Sequence, residues 1–296
     1  MGELAVQAIG FGIVTAALIA IGAMGFTLQF GLTNVLNISY GGVMTAGAFA
    51  ALMAEEWHLP VAIAVVFAIA TGALLTWLLG RTLFAFYARR GAGLFEMVMV
   101  TLAVSLILQY GIDAAAREQI YRFSFPQGTS LHWGWFTVTV TQLALVAVAA
   151  AVFAGIEMLL RRTRLGKALR AMADQPRLAR TCGIPTGKIV NVVWLISGAL
   201  AGLTGLAYVI NSLTIDASVG TEFLPLVLAA AILGRAGSTR GAVLAALLLG
   251  LVTEEVSALG GAAYATVAGF GILAIVLATR PAALAGQAAA KPEITV

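Results

Sequence analysis

Long apolar runs constrain the fold of this chain more than any other feature. A helix needs about twenty consecutive apolar residues to cross the hydrocarbon core of a bilayer. The runs are continuous and lack the period-two alternation of membrane barrel strands, so helices are the expected spanning form. We therefore predict an all-α polytopic membrane protein, a bundle of about eight or nine transmembrane helices with the seventh segment short or re-entrant. The nine candidate segments are Leu4–Gln29, Ile38–Ala54, Val61–Gly80, Phe95–Ile112, Val138–Leu160, Ile189–Ile210, Glu222–Leu233, Ala242–Thr253 continuing toward Ser257, and Ala262–Thr279.

Composition supports a single membrane domain over residues 1–296. Hydrophobic residues make up 61% of the chain and charged residues 10%, whereas soluble domains are about a quarter charged. This leaves no room for a soluble catalytic domain. Glu3 is the only charge before the first apolar run, and without a basic leader that run reads as a retained span rather than a signal peptide. The single cysteine, Cys182, excludes an internal disulfide.

Basic residues are distributed unevenly among the loops. The richest loop is 161–188, and cytoplasmic loops carry the excess of Lys and Arg. If loop 161–188 is cytoplasmic, alternation of the spans predicts an outside N-terminus and a cytoplasmic C-terminus. Because the basic residues lie in short loops between spans, we expect no nucleic-acid partner. The other residues expected inside are Arg81, Arg89, Arg90, Arg235, Arg240, Arg280 and Lys291, and those expected outside are Arg117, Arg122, Glu55, Glu56, Asp113, Glu118 and Asp216.

The loop 161–188 shows a helical pattern of its own. Its apolar residues fall at i, i+3, i+4 and i+7, which predicts a short amphipathic helix. Pro176 suits the first turn of a second helix, with Asp174 or Gln175 as its cap. Gly183 in a left-handed conformation can close that helix before Pro185. Such a pair of helices lies on anionic lipid, docks on a soluble partner, or only fixes topology. The apolar stripe is Leu165, Ala168, Leu169 and Met172.

A second polar cluster lies between the first two apolar runs. Polar residues inside a membrane are costly unless they face a partner or a cavity. Two interpretations stay open: a break in a helix that lines a central cavity, or a polar loop at the cytoplasmic surface. In the first, Asn211 and Ser212 could join the same cavity. The candidate residues for the substrate path are Asn34, Asn37, Ser39, Tyr40, Gly41 and Thr45.

Two further features are structural in the first instance. The segment 113–137 is the longest expected external loop, and its aromatic residues fit an interfacial belt or a docking surface for an external binding protein, to which Arg117 and Arg122 could contribute. Closely spaced glycines allow helices to approach one another. The aromatic residues are Tyr121, His132, Trp133, Trp135 and Phe136, and the glycines are Gly41, Gly42, Gly47, Gly198, Gly202 and Gly205.

No motif for catalysis, nucleotide binding or metal binding is present. There is no Walker A loop, HExxH, GxSxG or paired His/Cys set, so we expect no catalytic residue, no metal site and no cofactor. The few carboxylates near the apolar runs, Glu157, Glu254 and Glu255, are expected at interfaces or helix ends. An ion-driven carrier normally has more ionisable groups inside the membrane, so the energy for any transport must come from elsewhere.

Several motifs resemble one membrane-protein family. The segment from Thr163 to Ala171 matches T-R-x-G-x-A-x-R-A, and Ala179 to Ile184 matches A-x-x-x-G-I. The segment GLTNVLNISYGG resembles G-x-x-x-x-x-N-F-A-H-G-E, with Tyr40 in place of His and Gly42 in place of Glu. Further matches are Leu233, Gly234, Gly237, Ser238, Gly241 and Ala242, and Arg280-Pro281 with Leu284 and Gly286. These patterns are similar to the LivH-type permease subunits of branched-chain amino-acid ABC importers.

The resemblance implies a function and a set of partners. It implies a permease in the bacterial cytoplasmic (inner) membrane that carries branched-chain or related amino acids. The implied partners are two ATP-binding subunits, a second related permease and an extracytoplasmic solute-binding protein. Urea or short amides stay open as solutes because of Tyr40 and Gly42; a stand-alone channel or secondary carrier is the alternative class, and a membrane-embedded enzyme is third. The implied ATPase-coupling residues are Arg164, Leu165, Gly166, Arg170, Ala171, Asp174, Ala179, Gly183 and Ile184.

Overall fold

The computed structural model describes residues 2–117, 119–123, 128–133, 136–235 and 237–279. Almost all of them are helical, and one π-helical turn at Gly80–Phe84 joins α3 to α4. Four short strands, β1 to β4, form two antiparallel pairs. The helices are α1 (Gly2–Thr33), α2 (Tyr40–Glu56), α3 (Val61–Leu79), α4 (Ala85–Arg89), α5 (Leu94–Ala116), α6 (Val140–Arg162), α7 (Arg164–Asp174), α8 (Pro176–Thr181), α9 (Thr186–Ser212), α10 (Val219–Leu233), α11 (Thr239–Gly260) and α12 (Ala262–Thr279); the strands are β1 (Tyr121–Arg122), β2 (Ser130–Trp133), β3 (Phe136–Thr139) and β4 (Thr214–Ile215).

All nine apolar segments form helices. Six of them are long and apolar enough to cross a membrane, and α10 is the short apolar helix expected at the seventh position. The helix α2 has 17 residues and α12 has 18. The all-α polytopic fold is confirmed, and the chain is a multi-pass membrane protein. The six long helices are Gln7–Thr33, Val61–Arg89, Leu94–Ala116, Val140–Arg162, Thr186–Ser212 and Thr239–Gly260.

The helices α1 and α9 lie at the centre of the bundle. Most of α1 between Val14 and Gln29 is buried, and it packs against α6, α9, α10 and α11. The helix α9 packs against α2 and α3 through its glycines. A Cβ atom at Gly202 would overlap the carbonyl oxygen of Ala68, and one at Gly205 would overlap that of Met44. The close helix approach predicted from the glycine spacing is therefore confirmed for α9.

The outer helices present apolar side chains outward. Phe95 and Ile107 on α5 are 74% and 70% exposed, and Leu74 on α3 and Met158 on α6 are also largely exposed. In water such a surface would be unfavourable, but lipid tails solvate it. The exposed apolar faces therefore fit helices that contact lipid.

The two ends of the bundle differ in charge and in structure. One end carries α7 and α8, the carboxyl end of α1 and the turn between α10 and α11; Leu32 packs with Leu169, and Gly31 contacts Gly237. The opposite end carries the strands, with β1 paired to β4 and β2 paired to β3. Among the described residues, only Arg117 and Arg122 are basic at the strand end. The other end holds Arg81, Arg89, Arg90, Arg161, Arg162, Arg164, Lys167, Arg170, Arg177, Arg180, Lys188, Arg235 and Arg240.

The strands were not anticipated, because two-residue and four-residue segments carry too little periodicity to recognise. Tyr121 pairs with Ile215, and the N–H of Phe123 donates to the carbonyl of Leu213. The Tyr121 ring also meets the Phe49 ring edge to face. These contacts fix part of segment 113–137 onto the link between α9 and α10. Trp135 was also predicted to belong to an interfacial belt or a docking surface, but this residue lies outside the described residues.

Candidate functional site

The first candidate site is the interruption between α1 and α2. The chain leaves α1 at Thr33, passes through Asn34 in a left-handed conformation (φ 54°), and turns back along α1. The Tyr40 hydroxyl lies 3.1 Å from the carbonyl oxygen of Gly22 and 3.3 Å from that of Ser197. Gly22 is about 16 Å from the end of α1 at 1.5 Å per residue. The helix α2 therefore begins deep inside the bundle and not at its surface.

Buried polar side chains surround this starting point. The Gln29 Oε1 atom accepts hydrogen bonds from Asn37 Nδ2 (3.3 Å) and Ser197 Oγ (3.1 Å). Ser39 Oγ donates to Asn37 Oδ1 at 2.5 Å. Gln29, Asn37, Ser39 and Ser197 are all at most 1% exposed. Of the two interpretations of this polar cluster, the structure therefore shows the internal break and not a surface loop.

A backbone contact joins α2 to α10 just beyond the break. Thr45 Oγ1 donates to the carbonyl of Gly41 (3.3 Å) and accepts from the N–H of Gly220 (3.0 Å). A Cβ atom at Gly220 would overlap the Gly41 carbonyl oxygen. Only glycine at position 220 allows this approach, so the break is enclosed by α1, α2, α9 and α10.

The structure brings most of the predicted path residues together. Asn37, Ser39, Tyr40, Gly41 and Thr45 are all buried in this region, and Asn34 lies at its entry, partly exposed. Sequence reasoning missed Gln29, Ser197 and Gly220, although a glutamine ending an apolar run was a visible signal. Asn211 and Ser212 are not part of this group: they lie in the last turn of α9, where the Ser212 hydroxyl donates to the carbonyl of Thr214 in β4.

The second candidate site is the pair of helices α7 and α8. Thr163 caps α7 by accepting from the N–H of Gly166 (3.1 Å), while its hydroxyl donates to the carbonyl of Leu159 (2.6 Å). A Cβ atom at Gly166 would overlap the backbone of Leu160. The turn from α6 into α7 is therefore tight, and it fixes the direction of α7.

The predicted apolar stripe is present on α7, and it packs inward against the bundle. Leu169 and Met172 are buried with Ala179 of α8 and with Leu32 and Ile189 of the neighbouring helices. Pro176 begins α8, and Gln175 is its cap residue, one of the two alternatives. Docking on the bundle therefore uses the apolar faces of both helices.

The end of α8 has the geometry expected from Gly183. Its φ is 78°, and its N–H donates to the carbonyl of Arg180 (3.0 Å). The N–H of Ile184 donates to the carbonyl of Ala179 (3.1 Å). These are the two bonds of a Schellman motif, which satisfies the last carbonyls of a helix.

The opposite face of α7 and α8 is exposed and basic. Among the residues predicted to couple to an ATPase, Arg164, Arg170, Ala171, Asp174 and Gly183 are exposed. Gly166 and Ala179 are buried, and Leu165 and Ile184 are partly buried, so these four hold the helices in place. Leu178 is 56% exposed on the same surface. The surface consists of Arg164, Lys167, Arg170, Ala171, Asp174 and Leu178, and we call it the basic face.

A carboxylate connects this region to α11. Glu157, near the end of α6, is ion-paired with Arg161 and accepts from Arg240 Nε at 2.7 Å. Thr239 Oγ1 lies 3.4 Å from its second oxygen. Glu157 is thus near a helix end, as expected, and it links α6 to the first turn of α11.

Glu254 does not cap a helix end, which was one of the two placements expected for it; the other, at a membrane interface, stays a prediction. Glu254 lies within α11 and not at its end, and it accepts a hydrogen bond from Thr15 Oγ1 of α1 at 2.6 Å. It therefore stabilises helix packing instead of capping a terminus. Within the described part of the chain, no three His, Cys, Asp or Glu side chains come together as metal ligands would.

The sequence model of one transport family matches residues 8–279, nearly the whole chain; its description is branched-chain amino acid transport system / permease component. The chain belongs to this permease family. It is therefore a transport subunit and not an enzyme, and ATP hydrolysis in this family belongs to separate subunits. Permeases of this kind act with ATP-binding and substrate-binding partners.

Curated relatives agree with this membership over most of their length. The permease is 26% identical over 289 residues to the high-affinity branched-chain amino acid transport system permease protein BraD of Pseudomonas aeruginosa, covering 93% of this chain and 94% of that protein. It is 25% identical over 291 residues to LivH of Escherichia coli, with the same coverage. It is also 26% identical over 255 residues to the ribose import permease protein RbsC of Escherichia coli, covering 83% of this chain and 76% of that protein.

Proposed function

We propose that this permease forms the membrane path of an ATP-binding-cassette importer for branched-chain or related amino acids. The observation that carries the proposal is the basic face of α7 and α8. Because the apolar stripe of α7 is already used against the bundle, the exposed charges are left for a partner outside the membrane. The assembly comprises two ATP-binding subunits, a second related permease and an extracytoplasmic binding protein.

The solute passes the interruption between α1 and α2. Asn34, Asn37, Ser39, Tyr40, Gly41 and Thr45 line the path when the bundle opens. In the packed arrangement described above these side chains bond to one another and to α1, α9 and α10. Opening requires the amino end of α2 to separate from α1 and α9, which is a shear of packed helices.

Coupling to ATP hydrolysis acts through the loop 161–188. An ATP-binding subunit contacts Arg164, Arg170, Ala171, Asp174 and Gly183, while Leu165, Gly166, Ala179 and Ile184 hold the loop on the bundle. Movement of α7 is passed to α6 through the tight turn at Gly166, and to α11 through Glu157.

The orientation follows the charges at the two ends. The end that carries the basic face lies in the cytoplasm under the positive-inside rule, which places the C-terminus inside and the N-terminus outside a bacterial inner membrane. Residues 113–137 then form the external loop of a single transmembrane domain. A binding protein docks at this end, where Arg117 and Arg122 supply the basic residues.

A second solute class, urea or short amides, is favoured by two residues. Tyr40 and Gly42 stand where the family pattern has an ionisable pair. Tyr40 is fully buried, and a Cβ atom at Gly42 would come within 2.9 Å of Leu108. Neither position carries a side chain that is charged at neutral pH, which suits a smaller or less charged solute.

The test is co-purification followed by transport. The tagged permease is extracted in mild detergent, both native and with Arg164→Glu and Arg170→Glu together; Arg117→Glu with Arg122→Glu is the matched control at the other end. We expect ATP-binding subunits and a second permease with the native chain and the control, and loss of the ATP-binding subunits with the Arg164/Arg170 variant. The recovered complex is then assayed for ATP-driven uptake of leucine and of urea. A native chain that purifies alone and moves solute without ATP overturns the proposal.

A further inference from the structure

The continuous helix Val61–Arg89, made of α3, the π-helical turn and α4, changes character at Arg81. The stretch from Val61 to Gly80 contains no charged residue. About twenty apolar residues are what a helix needs to cross the hydrocarbon core of a bilayer. Arg81 is therefore the first charge on this helix at the boundary between the lipid tails and the lipid headgroups.

The π-helical turn fixes the backbone that carries Arg81. The Phe84 ring packs on the Trp194 ring of α9, with the two ring centres 5.3 Å apart. A Cβ atom at Gly80 would come within 2.6 Å of the same Trp194 ring. Gly80 and Phe84 are buried, whereas Arg81 and Thr82 are exposed. Because one side of the turn is held against α9, Arg81 lies on the outer side of the helix.

Arg81 continues a lipid-facing stripe of α3. Leu74 and Leu78 are exposed apolar residues, and with Arg81 they occupy positions i, i+4 and i+7 of one helix face. Side chains at these positions follow one another along the helix surface. A lipid chain that lies along Leu74 and Leu78 therefore brings its headgroup to Arg81.

Aromatic rings hold two of the guanidinium groups at this end of the helix. Arg81 Cζ lies 5.3 Å from the centre of the Trp77 ring, and Arg90 Cζ lies 4.1 Å from the centre of the Phe86 ring. Tryptophan is typical of the headgroup level of a bilayer. A ring face attracts a cation but offers it no oxygen acceptor, so the N–H donors of both guanidinium groups still need partners.

These donors have no acceptor among the described residues, since neither Arg81 nor Arg90 makes an ion pair or a side-chain hydrogen bond there. The ion pairs of Glu157 neutralise other arginines at this end of the bundle. Glu96, the acid nearest to Arg90 in sequence, accepts from the N–H of Gly93 at 3.0 Å. Within the described part of the chain, the charge at the lipid boundary is therefore left without a carboxylate.

We propose that Arg81 binds the phosphate of a phospholipid whose headgroup has a net negative charge. Arg89 and Arg90 lie at the end of α4, farther toward the aqueous side. Their charges repel the ammonium group that a zwitterionic headgroup carries beyond its phosphate, so the site favours an anionic lipid. A soluble anion is not the ligand, because the Arg81 guanidinium lies back along the helix over Trp77. The site is independent of the transported solute.

The experiment measures lipid binding to the full-length permease in mild detergent by native mass spectrometry. The probes are dioleoylphosphatidylglycerol, which is anionic, and dioleoylphosphatidylcholine, which is zwitterionic. We expect the native chain to bind the anionic lipid more tightly than the zwitterionic one. Arg81→Gln should weaken binding of the anionic lipid about tenfold, since a hydrogen bond between two charged groups is lost. Equal affinity of the native chain for both lipids overturns the proposal, as does native affinity in Arg81→Gln.

Two controls separate a lipid site from general attraction between charges. Arg235→Gln removes one exposed charge at the same end of the bundle, from the turn between α10 and α11, and it should leave affinity for the anionic lipid within about twofold of native because exposed charges at a distance are screened. An equal fall in Arg235→Gln and Arg81→Gln overturns the proposal. Excess inorganic phosphate should leave the anionic lipid bound, and displacement by phosphate would show a site for soluble anions instead.

A second variant keeps the test valid if Arg81→Gln is not recovered folded. Trp77→Leu retains the charge of Arg81 but removes the ring that holds it, and it should weaken binding of the anionic lipid about threefold. The melting temperature of each variant without added lipid shows whether the chain is folded. If Trp77→Leu is folded and binds both lipids as the native chain does, the ring does not position Arg81 for a headgroup and the proposal is wrong.

Discussion

The interrupted helix and the basic loop are the two polar regions of an apolar chain, and they satisfy their polar groups in opposite ways. At the interruption, Gln29, Asn37, Ser39 and Tyr40 are buried and bond to each other and to backbone carbonyls. In the loop, the charges of the basic face remain in solvent, and only the apolar stripe is buried.

Because of this difference, we expect substitutions in the two regions to affect different properties of the protein. A buried polar network in a medium of low dielectric depends on each partner, because an unpaired group there is costly. An exposed charge contributes little to folding. Substitutions at the interruption should therefore affect assembly and stability, whereas substitutions on the basic face should affect partner binding alone.

The largest expected effect comes from Gly220, where α10 meets α2. A leucine at this position cannot fit beside the Gly41 carbonyl, so Gly220→Leu should abolish recovery of monodisperse protein in detergent. The matched control is Gly187→Leu in the first turn of α9, where a Cβ atom meets nothing within 4 Å, and it should be recovered like the native chain. Size-exclusion chromatography measures both. Native-like recovery of Gly220→Leu would show that the α2–α10 contact is not required.

The contrast between buried and exposed positions can also be tested within loop 161–188, by placing a charge on its buried face and, separately, on its exposed face. Ala179 is 4% exposed against α7, and Ala171 is exposed on the basic face. Ala179→Glu buries an unpaired charge and should lower stability by about 3 kcal/mol. Ala171→Glu should change the free energy of unfolding by less than about 0.5 kcal/mol. It should, however, weaken binding of the ATP-binding subunit to the basic face. Thermal unfolding measures the change in stability, and co-purification measures binding of the ATP-binding subunit. Equal melting temperatures for both variants would contradict the conclusion that Ala179 faces the bundle and Ala171 faces solvent.

The Glu157 ion pair should matter for coupling more than for folding. Its side chain is 18% exposed and its arginine partners are about half exposed, so its contribution to stability is small. We expect Glu157→Gln to lower solute moved per ATP hydrolysed severalfold, because the link from α6 to α11 weakens. The exchange Glu157→Arg with Arg240→Glu should restore part of that ratio. The control is Glu56→Gln, which changes an exposed carboxylate at the strand end. If the ratio of solute moved to ATP hydrolysed falls equally in this control, Glu157 does not act as a specific link between α6 and α11.

The smallest effect is expected from one hydroxyl. Tyr40→Phe keeps the ring in its edge-to-face contact with Phe26 but removes the donor to the Gly22 and Ser197 carbonyls. A buried hydrogen bond of this kind contributes about 1 kcal/mol, which corresponds to a shift of a few degrees in melting temperature. Tyr110→Phe, with a ring 65% exposed, should melt with the native chain. A Tyr40→Phe variant that melts at the native temperature would mean that this hydroxyl does not stabilise the interruption.

The fold and the basic loop could be predicted from sequence because their signals are local. Apolar runs long enough for a bilayer specify helices whatever their neighbours, since every backbone group must be satisfied within the segment. The loop is equally local: the stripe ending at Met172, the proline at 176 and the glycine at 183 each determine structure within one or two turns.

The site at the interruption could be predicted only in part. The polar residues from Asn34 to Thr45 indicated where a site could lie. A surface loop and an internal break in a helix, however, have the same local sequence pattern. Gln29, Ser197 and Gly220 were missed because their role depends on contacts between distant parts of the chain: Ser197 and Gln29 are 168 residues apart, and Gly220 and Thr45 are 175 apart.

By itself, the sequence determined which segments are helical, which loop is basic and where the second of the two short helices begins and ends. Only the tertiary structure decided that α2 starts beside Gly22 and that a glutamine at the end of an apolar run faces Asn37 and Ser197. The physical reason is the distance along the chain over which each kind of interaction acts. Periodicity, caps and hydropathy act within a few turns of one helix, whereas the depth of a break and the partners of a buried amide are set by the packing of four helices around it.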